Sequence, residues 1–270
     1  MLVGVKNYEL DMRIEITDGK KKHLFRGADG WNELSRRDLL TWCGILRLEL
    51  TVAEAMDLAA HTLYRIPLRL FSKLSPVLRV QIRHTLSFLE TNSLTSNVLG
   101  VVRIGWFKFH GPANRLSNIT IGEFRRTELY YDMYQRTGQN KFLHLLAATL
   151  WRPTGGTGDD RRCKLSDRSV ARRARLYSWA MHPTLLLAIK IFYEGCRAYI
   201  QRQFKVVYKK SGDGGITTLS KKDIQDLEDH ILAYSGGKFG TFVETEGTNL
   251  YLFLKHMSER IESYEAAKKK

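Results

Sequence analysis

Apolar residues recur every three or four positions along most of this chain, a spacing that is typical of amphipathic helices. One apolar face follows Pro76, with members spaced four, four and three residues apart: Leu78, Ile82, Leu86 and Leu89. The segment 185–204 is apolar on nearly all sides and therefore predicts a buried central helix, which begins or restarts at Pro183. The pattern predicts a mainly α protein built as a multi-helix bundle.

Helix starts carry the same short signal at several places in the chain. A Ser or Thr precedes an acidic residue by three positions, so each side chain can bond the other's free backbone N–H. The clearest example lies within Ser117–Pro153, where Thr120 precedes Glu123 and the flanking residues Ile119 and Phe124 form a hydrophobic staple. The same signal occurs at three further positions: Ser35, Thr51 and Ser220. These starts predict helices that are joined by short connections.

Three segments favour strands instead. Residues 12–17 alternate between apolar and polar, as a half-buried strand does, and residues 24–26 supply a return strand. The segment 97–109 is rich in β-branched and aromatic residues and predicts a further strand. We therefore expect a small N-terminal and central β element within a main helical domain, 1–208. A linker at 209–218 would then precede a C-terminal helical unit, 219–270, which is either packed on the main domain or partly independent.

The formal net charge of +15 narrows the range of partners. A chain this basic indicates an acidic partner, either nucleic acid or an acidic protein surface, unless its charge simply covers a solvated face. Its three cysteines are far apart and fit a reducing compartment: Cys43, Cys163 and Cys196. The first residues show no signal-peptide pattern. The longest apolar run, Leu185–Tyr193, is too short to span a bilayer, so we expect no membrane partner.

The densest charge lies in the segment 161–175. It holds one acidic residue and seven basic ones, which are Arg161, Arg162, Lys164, Arg168, Arg172, Arg173 and Arg175. On a helix, Arg168, Arg172 and Arg175 fall on one face, and such a stripe can neutralise several phosphates. The same stripe can equally contact an acidic protein or remain a solvated face. These three interpretations stay open, and the seven basic residues are the candidate binding residues.

No motif for catalysis, metal binding or cofactor binding stands out. No two of the eight histidines lie four residues apart on one predicted helix, as a paired metal site would require. The glycine-rich loop 154–160 lacks the lysine and the strand context of a phosphate-binding loop. Adjacent Asp159 and Asp160 have no third acidic partner at a useful spacing for a cation. We expect a non-enzymatic protein without a cofactor; a metal-dependent nuclease is a further hypothesis with no motif in its support.

Three passages resemble a loosely defined group of largely helical proteins that bacteriophages and prophages encode near tail or structural genes. The passages are HGPANRLSNITIGEFRRTELYYDMY (His110–Tyr134), LHLLAATLWRP (Leu143–Pro153) and HILAYSGGKFGTFVETEGTNLYLFLKHMSERIE (His230–Glu262). The resemblance implies a role in virion assembly, as a tail assembly chaperone or minor tail component. The partners would be other phage structural or tail proteins, in the host cytoplasm or the virion, and self-association stays open. The alternative is a protein that binds DNA or RNA through the basic helix 161–175.

Overall fold

The computed structural model describes residues 2–8, 11–18, 20–155, 160–208 and 240–268. The protein is mainly helical with a minor β part, as the periodicity predicts. The described residues within Met1–Leu94, together with Pro183–Ile191, form one compact unit. Those within Thr95–His182 and Phe192–Lys270 form a second unit. The predicted linker 209–218 and the predicted helix start at Ser220 lie outside the described residues.

An antiparallel sheet opens the first unit. Its strands are β1 (Leu2–Tyr8), β2 (Asp11–Asp18) and β3 (Lys21–Gly27), paired in the order β1-β2-β3. Ile14 and Ile16 are fully buried on one face of β2, since alternate residues of a strand point the same way. The sequence pattern predicts β2 and β3 but not β1.

Four helices follow in the first unit: α1 (Arg36–Ile45), α2 (Val52–Leu63), α3 (Leu68–Phe71) and α4 (Pro76–His84). The reciprocal caps predicted at Ser35 and Thr51 are both present. Helix α4 is shorter than its apolar face predicts, because a 3₁₀ turn at Ser87–Glu90 replaces its last part. Leu86 and Leu89 are nevertheless buried.

The second unit is built around α5 (Ile121–Thr137) and α6 (Asn140–Leu150). Gly138 separates them in a left-handed conformation, with φ of +66°, that a glycine adopts readily. The staple residues Ile119 and Phe124 are fully buried. Helix α7 (Asp167–Ala180) follows, and Pro183 opens α8 (Pro183–Gln203), whose residues from Phe192 onward belong to this unit.

The segment 97–109 forms a hairpin, which corrects the prediction of a single strand. Strand β4 (Val101–Ile104) pairs antiparallel with β5 (Phe107–His110), and β6 (Arg152–Pro153) adds to the other edge of β5. The turn between β4 and β5 has two residues, Gly105 and Trp106. Gly105 has φ of +55°, which short hairpin turns require and which a side chain would oppose.

The described part of the predicted C-terminal unit packs on α5. It contains α9 (Phe242–Glu246) and α10 (Leu250–Lys268). The backbone N–H of Ile121 donates to Thr248 O at 2.9 Å, and Arg125 pairs with Glu246 at 2.6 Å. These residues therefore belong to the same compact unit as α5.

Candidate docking surface

Helix α7 carries most of the predicted basic segment and is held by its buried face. Its start is capped by Ser166, whose Oγ accepts a hydrogen bond from the backbone of Ser169 at 3.4 Å. On the buried face, the Tyr177 hydroxyl donates to Trp151 O at 2.9 Å, and its ring packs edge-on against Phe109. Burial raises the pKa of Tyr177 well above its usual range, so the phenol stays neutral and remains a donor. The opposite face of α7 is thereby presented to solvent.

Arg173 lies on the buried side of α7 and ties that helix to the end of α6. Its Nε and Nη2 atoms both donate to Ala148 O, at 3.0 and 2.9 Å. The last carbonyls of a helix have no partner within the helix, so the guanidinium satisfies one of them. Burial lowers the pKa of Arg173, as expected for a cation removed from water. Arg173 is a packing residue and leaves the set of candidate binding residues.

Arg162 is buried as well, within a network of ions and carbonyls. It makes a two-pronged contact with Asp160, at 2.8 and 2.9 Å, and its Nη2 also donates to Asn118 O at 3.1 Å. The same Nη2 lies 3.3 Å from the Glu123 carboxylate. Because every side of the guanidinium faces a partner within the chain, Arg162 also leaves the set of candidate binding residues. Asp160, for which the sequence supplies no acidic partners at a cation-binding spacing, pairs with Arg162, and Asp159 lies outside the described residues.

Glu123 does not complete the reciprocal cap predicted with Thr120. The Thr120 hydroxyl does accept from the Glu123 backbone N–H at 3.2 Å. The Glu123 carboxylate instead turns to Arg152, at 2.7 Å, and to Arg162. Burial lowers the pKa of Arg152 and the Glu123 charge opposes that shift, so the two groups are held as an ion pair away from water.

A second buried carboxylate, Glu128, lies about 1.4 turns beyond Glu123 on α5. Glu128 accepts from Arg197 Nε at 2.9 Å and from the hydroxyl of Tyr193. Burial raises the pKa of Tyr193 well above its usual range, which keeps the phenol proton in place on the donor. The Glu128 charge is thus neutralised by one guanidinium, and the carboxylate also accepts a hydrogen bond from one neutral phenol. Like Glu123, it is engaged in holding helices together.

Five of the seven predicted residues are exposed: Arg161, Lys164, Arg168, Arg172 and Arg175. Arg168, Arg172 and Arg175 form the expected row on the solvent face of α7, and no ion pair joins them to any described residue. The nearby acid, Asp167, is paired with Arg126 at 2.6 Å. The row therefore presents positive charge that no acidic side chain pairs with in the part of the chain that the structure describes.

Trp179 extends this row and was not predicted as a site residue. It is 87% exposed. Successive residues of an α-helix are rotated by about 100° around its axis. Trp179, Arg168, Arg172 and Arg175 therefore lie within an arc of about 60° around α7 and span about 16 Å along its axis. We call these four residues the arginine–tryptophan row. The sequence did offer a signal for Trp179, because it lies four residues after Arg175. Only the structure shows that its indole is exposed while neighbouring Tyr177 is buried.

Within the described ranges, no three side chains of His, Cys, Asp or Glu are placed to hold a metal ion. No helix in those ranges is both long and apolar enough to cross a membrane. Comparison of the chain with protein-family models, with curated proteins and with solved structures finds no match.

Proposed function

We propose that this chain is a non-enzymatic assembly protein of a bacteriophage particle that docks on an acidic protein surface through the arginine–tryptophan row. One observation carries the proposal: an indole that is 87% exposed continues a line of three arginines that have no ion-pair partner among the described residues. Trp and Arg are the side chains most enriched among residues that dominate binding energy at protein interfaces. The assembly role itself rests on the resemblance of the three passages to phage proteins.

The way α7 is anchored suits a docking helix. Arg173 and Tyr177 fix its inner face to the carbonyls of Ala148 and Trp151. The outer side chains therefore start from a rigid backbone, and less conformational entropy is lost when a partner binds. Opposite charges on the partner would increase the association rate, and burial of Trp179 would slow dissociation.

The proposal is tested by co-purification with phage tail and capsid proteins. We expect the wild type to retain one of them, and the variants R168E/R172E/R175E and W179A each to lose it. The matched control is R37E/R69E/R202E, which makes the same change in net charge at exposed arginines that are not members of the row. Equal loss in the control would show that net charge alone is responsible, and no retention by the wild type would refute the assembly role.

Binding of nucleic acid by the row is the second candidate function. The net charge of +15 favours it, and Arg161 and Lys164 lie exposed just before α7. In this case the wild type would retain DNA or RNA at low salt, with an affinity that falls steeply as salt is added. Charge reversal at Arg168, Arg172 and Arg175 would abolish retention, while W179A would weaken it less than charge reversal does.

A further inference from the structure

The tip of the β4–β5 hairpin is a second exposed surface, and its residues lie in a different part of the sequence from the arginine–tryptophan row. Trp106 at the turn is 99% exposed, and the next residue, Phe107, is 64% exposed. Trp106 is the most exposed of the large apolar side chains in the described part of the chain. Both faces of its indole are therefore open to a ligand.

Two basic residues lie on the strands one pair back from this tip. Arg103 and Lys108 are paired across the two strands, and both are exposed. Side chains paired in this way have Cβ atoms about 5 Å apart, and like charges at that distance destabilise a sheet. No ion pair joins either cation to a described residue. An anion placed between them would remove the repulsion.

The base of the hairpin is firmly held, in contrast with its tip. Val102 and Phe109 are paired across the strands and buried on the opposite face. Phe109 packs edge-on against Tyr177 of α7, with ring centroids 5.1 Å apart. The core therefore uses one face of the hairpin, whereas Trp106 at the turn and the opposite face with Arg103 and Lys108 are exposed.

We propose that this hairpin tip binds single-stranded nucleic acid. A base stacks on the indole of Trp106, and the adjoining phosphate lies between Arg103 and Lys108, whose side chains share the face of the hairpin opposite Phe107. A single-stranded base can stack on any open aromatic face, and every base has such a face, so the contact needs no preformed pocket. Arg103 and Lys108, which face each other across the two strands, carry positive charge that complements the negative phosphate backbone between successive bases. The proposal is independent of the docking function assigned to the arginine–tryptophan row.

Trp106 can be observed selectively in a W179F background. The other three tryptophans, Trp31, Trp42 and Trp151, are 3%, 5% and 0% exposed, so a change at the surface reports on Trp106. The probe is an oligothymidine of about 12 nucleotides, within the usual range of site sizes. We expect it to quench the indole fluorescence at low salt, with an affinity that falls as salt is added.

Three variants in the W179F background locate the contact. W106A should lower the affinity for oligothymidine by about tenfold or more, as the loss of one stacked base implies. Binding is followed by the fluorescence anisotropy of a labelled oligothymidine. R103E/K108E should weaken it at least as strongly. R168E/R172E/R175E should keep the full quenching amplitude at saturation, because Trp106 and its two cations are unchanged. Circular dichroism and thermal unfolding confirm that each variant is folded.

Three results would overturn the proposal. The first is the absence of quenching at low salt. The second is equal affinity of the W106A variant and its parent for the oligothymidine. The third is a blue shift of Trp106 with vesicles of phosphatidylglycerol and phosphatidylcholine but no response to the oligothymidine, which would assign the tip to a lipid surface. None of these results depends on co-purification with a tail or capsid protein, so the two proposals fail separately.

Discussion

At the scale of single residues, the main feature is the burial of arginine. Four arginines of the described chain are less than a tenth exposed: Arg152, Arg162, Arg173 and Arg197. Each guanidinium meets a carboxylate or a backbone carbonyl. Removing such groups from water is costly, and the cost is recovered only while every partner is present. Losing one partner is therefore expected to destabilise the protein more than losing the whole pair.

The pair of Glu128 and Arg197 provides a direct test. We expect Arg197→Met to lower the free energy of unfolding by about 3–5 kcal/mol, because Glu128 is left buried without its cation. Adding Glu128→Gln to that variant should restore part of the loss. The control is Arg202→Met at an exposed site on the same helix, which should change stability by no more than about 0.5 kcal/mol.

Chemical denaturation of the single and double variants measures these differences. If the double variant loses the sum of the two single losses, Glu128 and Arg197 are not energetically coupled. The Tyr193 hydroxyl would then be the main partner of this carboxylate.

At the scale of elements, helix ends account for much of the local order. The reciprocal caps at Ser35 and Thr51 match their sequence signal, and a further one at Thr241 closes on Glu244. Thr120 makes only half of its predicted cap because Arg152 and Arg162 compete for the carboxylate of Glu123. A charged partner from a distant segment therefore overrides a local hydrogen bond.

The cap of α1 gives a prediction at this scale. The Ser35 hydroxyl accepts from the backbone N–H of Asp38 at 3.2 Å, so Ser35→Ala should lower the unfolding free energy by about 1 kcal/mol. The control is Ser263→Ala on the exposed face of α10, where alanine is the better helix former and no cap is lost. Both variants can be compared by urea denaturation; an equal effect of the two would rule out a capping contribution.

At the scale of the whole molecule, buried phenols make the folded state sensitive to alkali. Burial raises the pKa of both Tyr177 and Tyr193 above the usual value of about 10. Below that pH both residues are neutral in the folded and unfolded states, so the free energy of unfolding is not reduced by their ionisation. Above it the unfolded chain releases protons that the folded chain keeps, and stability therefore falls as the pH rises.

This reasoning predicts two phases in an alkaline titration followed by tyrosinate absorbance. Exposed tyrosines should ionise first without loss of helix. The buried ones should ionise at higher pH together with the loss of the circular dichroism signal. Tyr177→Phe should reduce the amplitude of the second phase by one tyrosine, and ionisation of all tyrosines before any unfolding would contradict the assigned burial.

The sequence by itself determined the features that act over three or four residues. These are the mainly helical class, the caps of α1 and α2, the staple around Thr120, and the spacing that aligns Arg168, Arg172 and Arg175. Local hydrogen bonds and side-chain periodicity suffice for them, because the interacting groups are close neighbours in the chain.

Only the tertiary structure decided which charged residues reach solvent. Arg173 and Arg172 are adjacent in the chain, yet Arg173 is enclosed against Ala148 and Arg172 is exposed. The burial of Arg173 depends on Ala148, which lies 25 residues away in the chain, and no local pattern records that the two will meet.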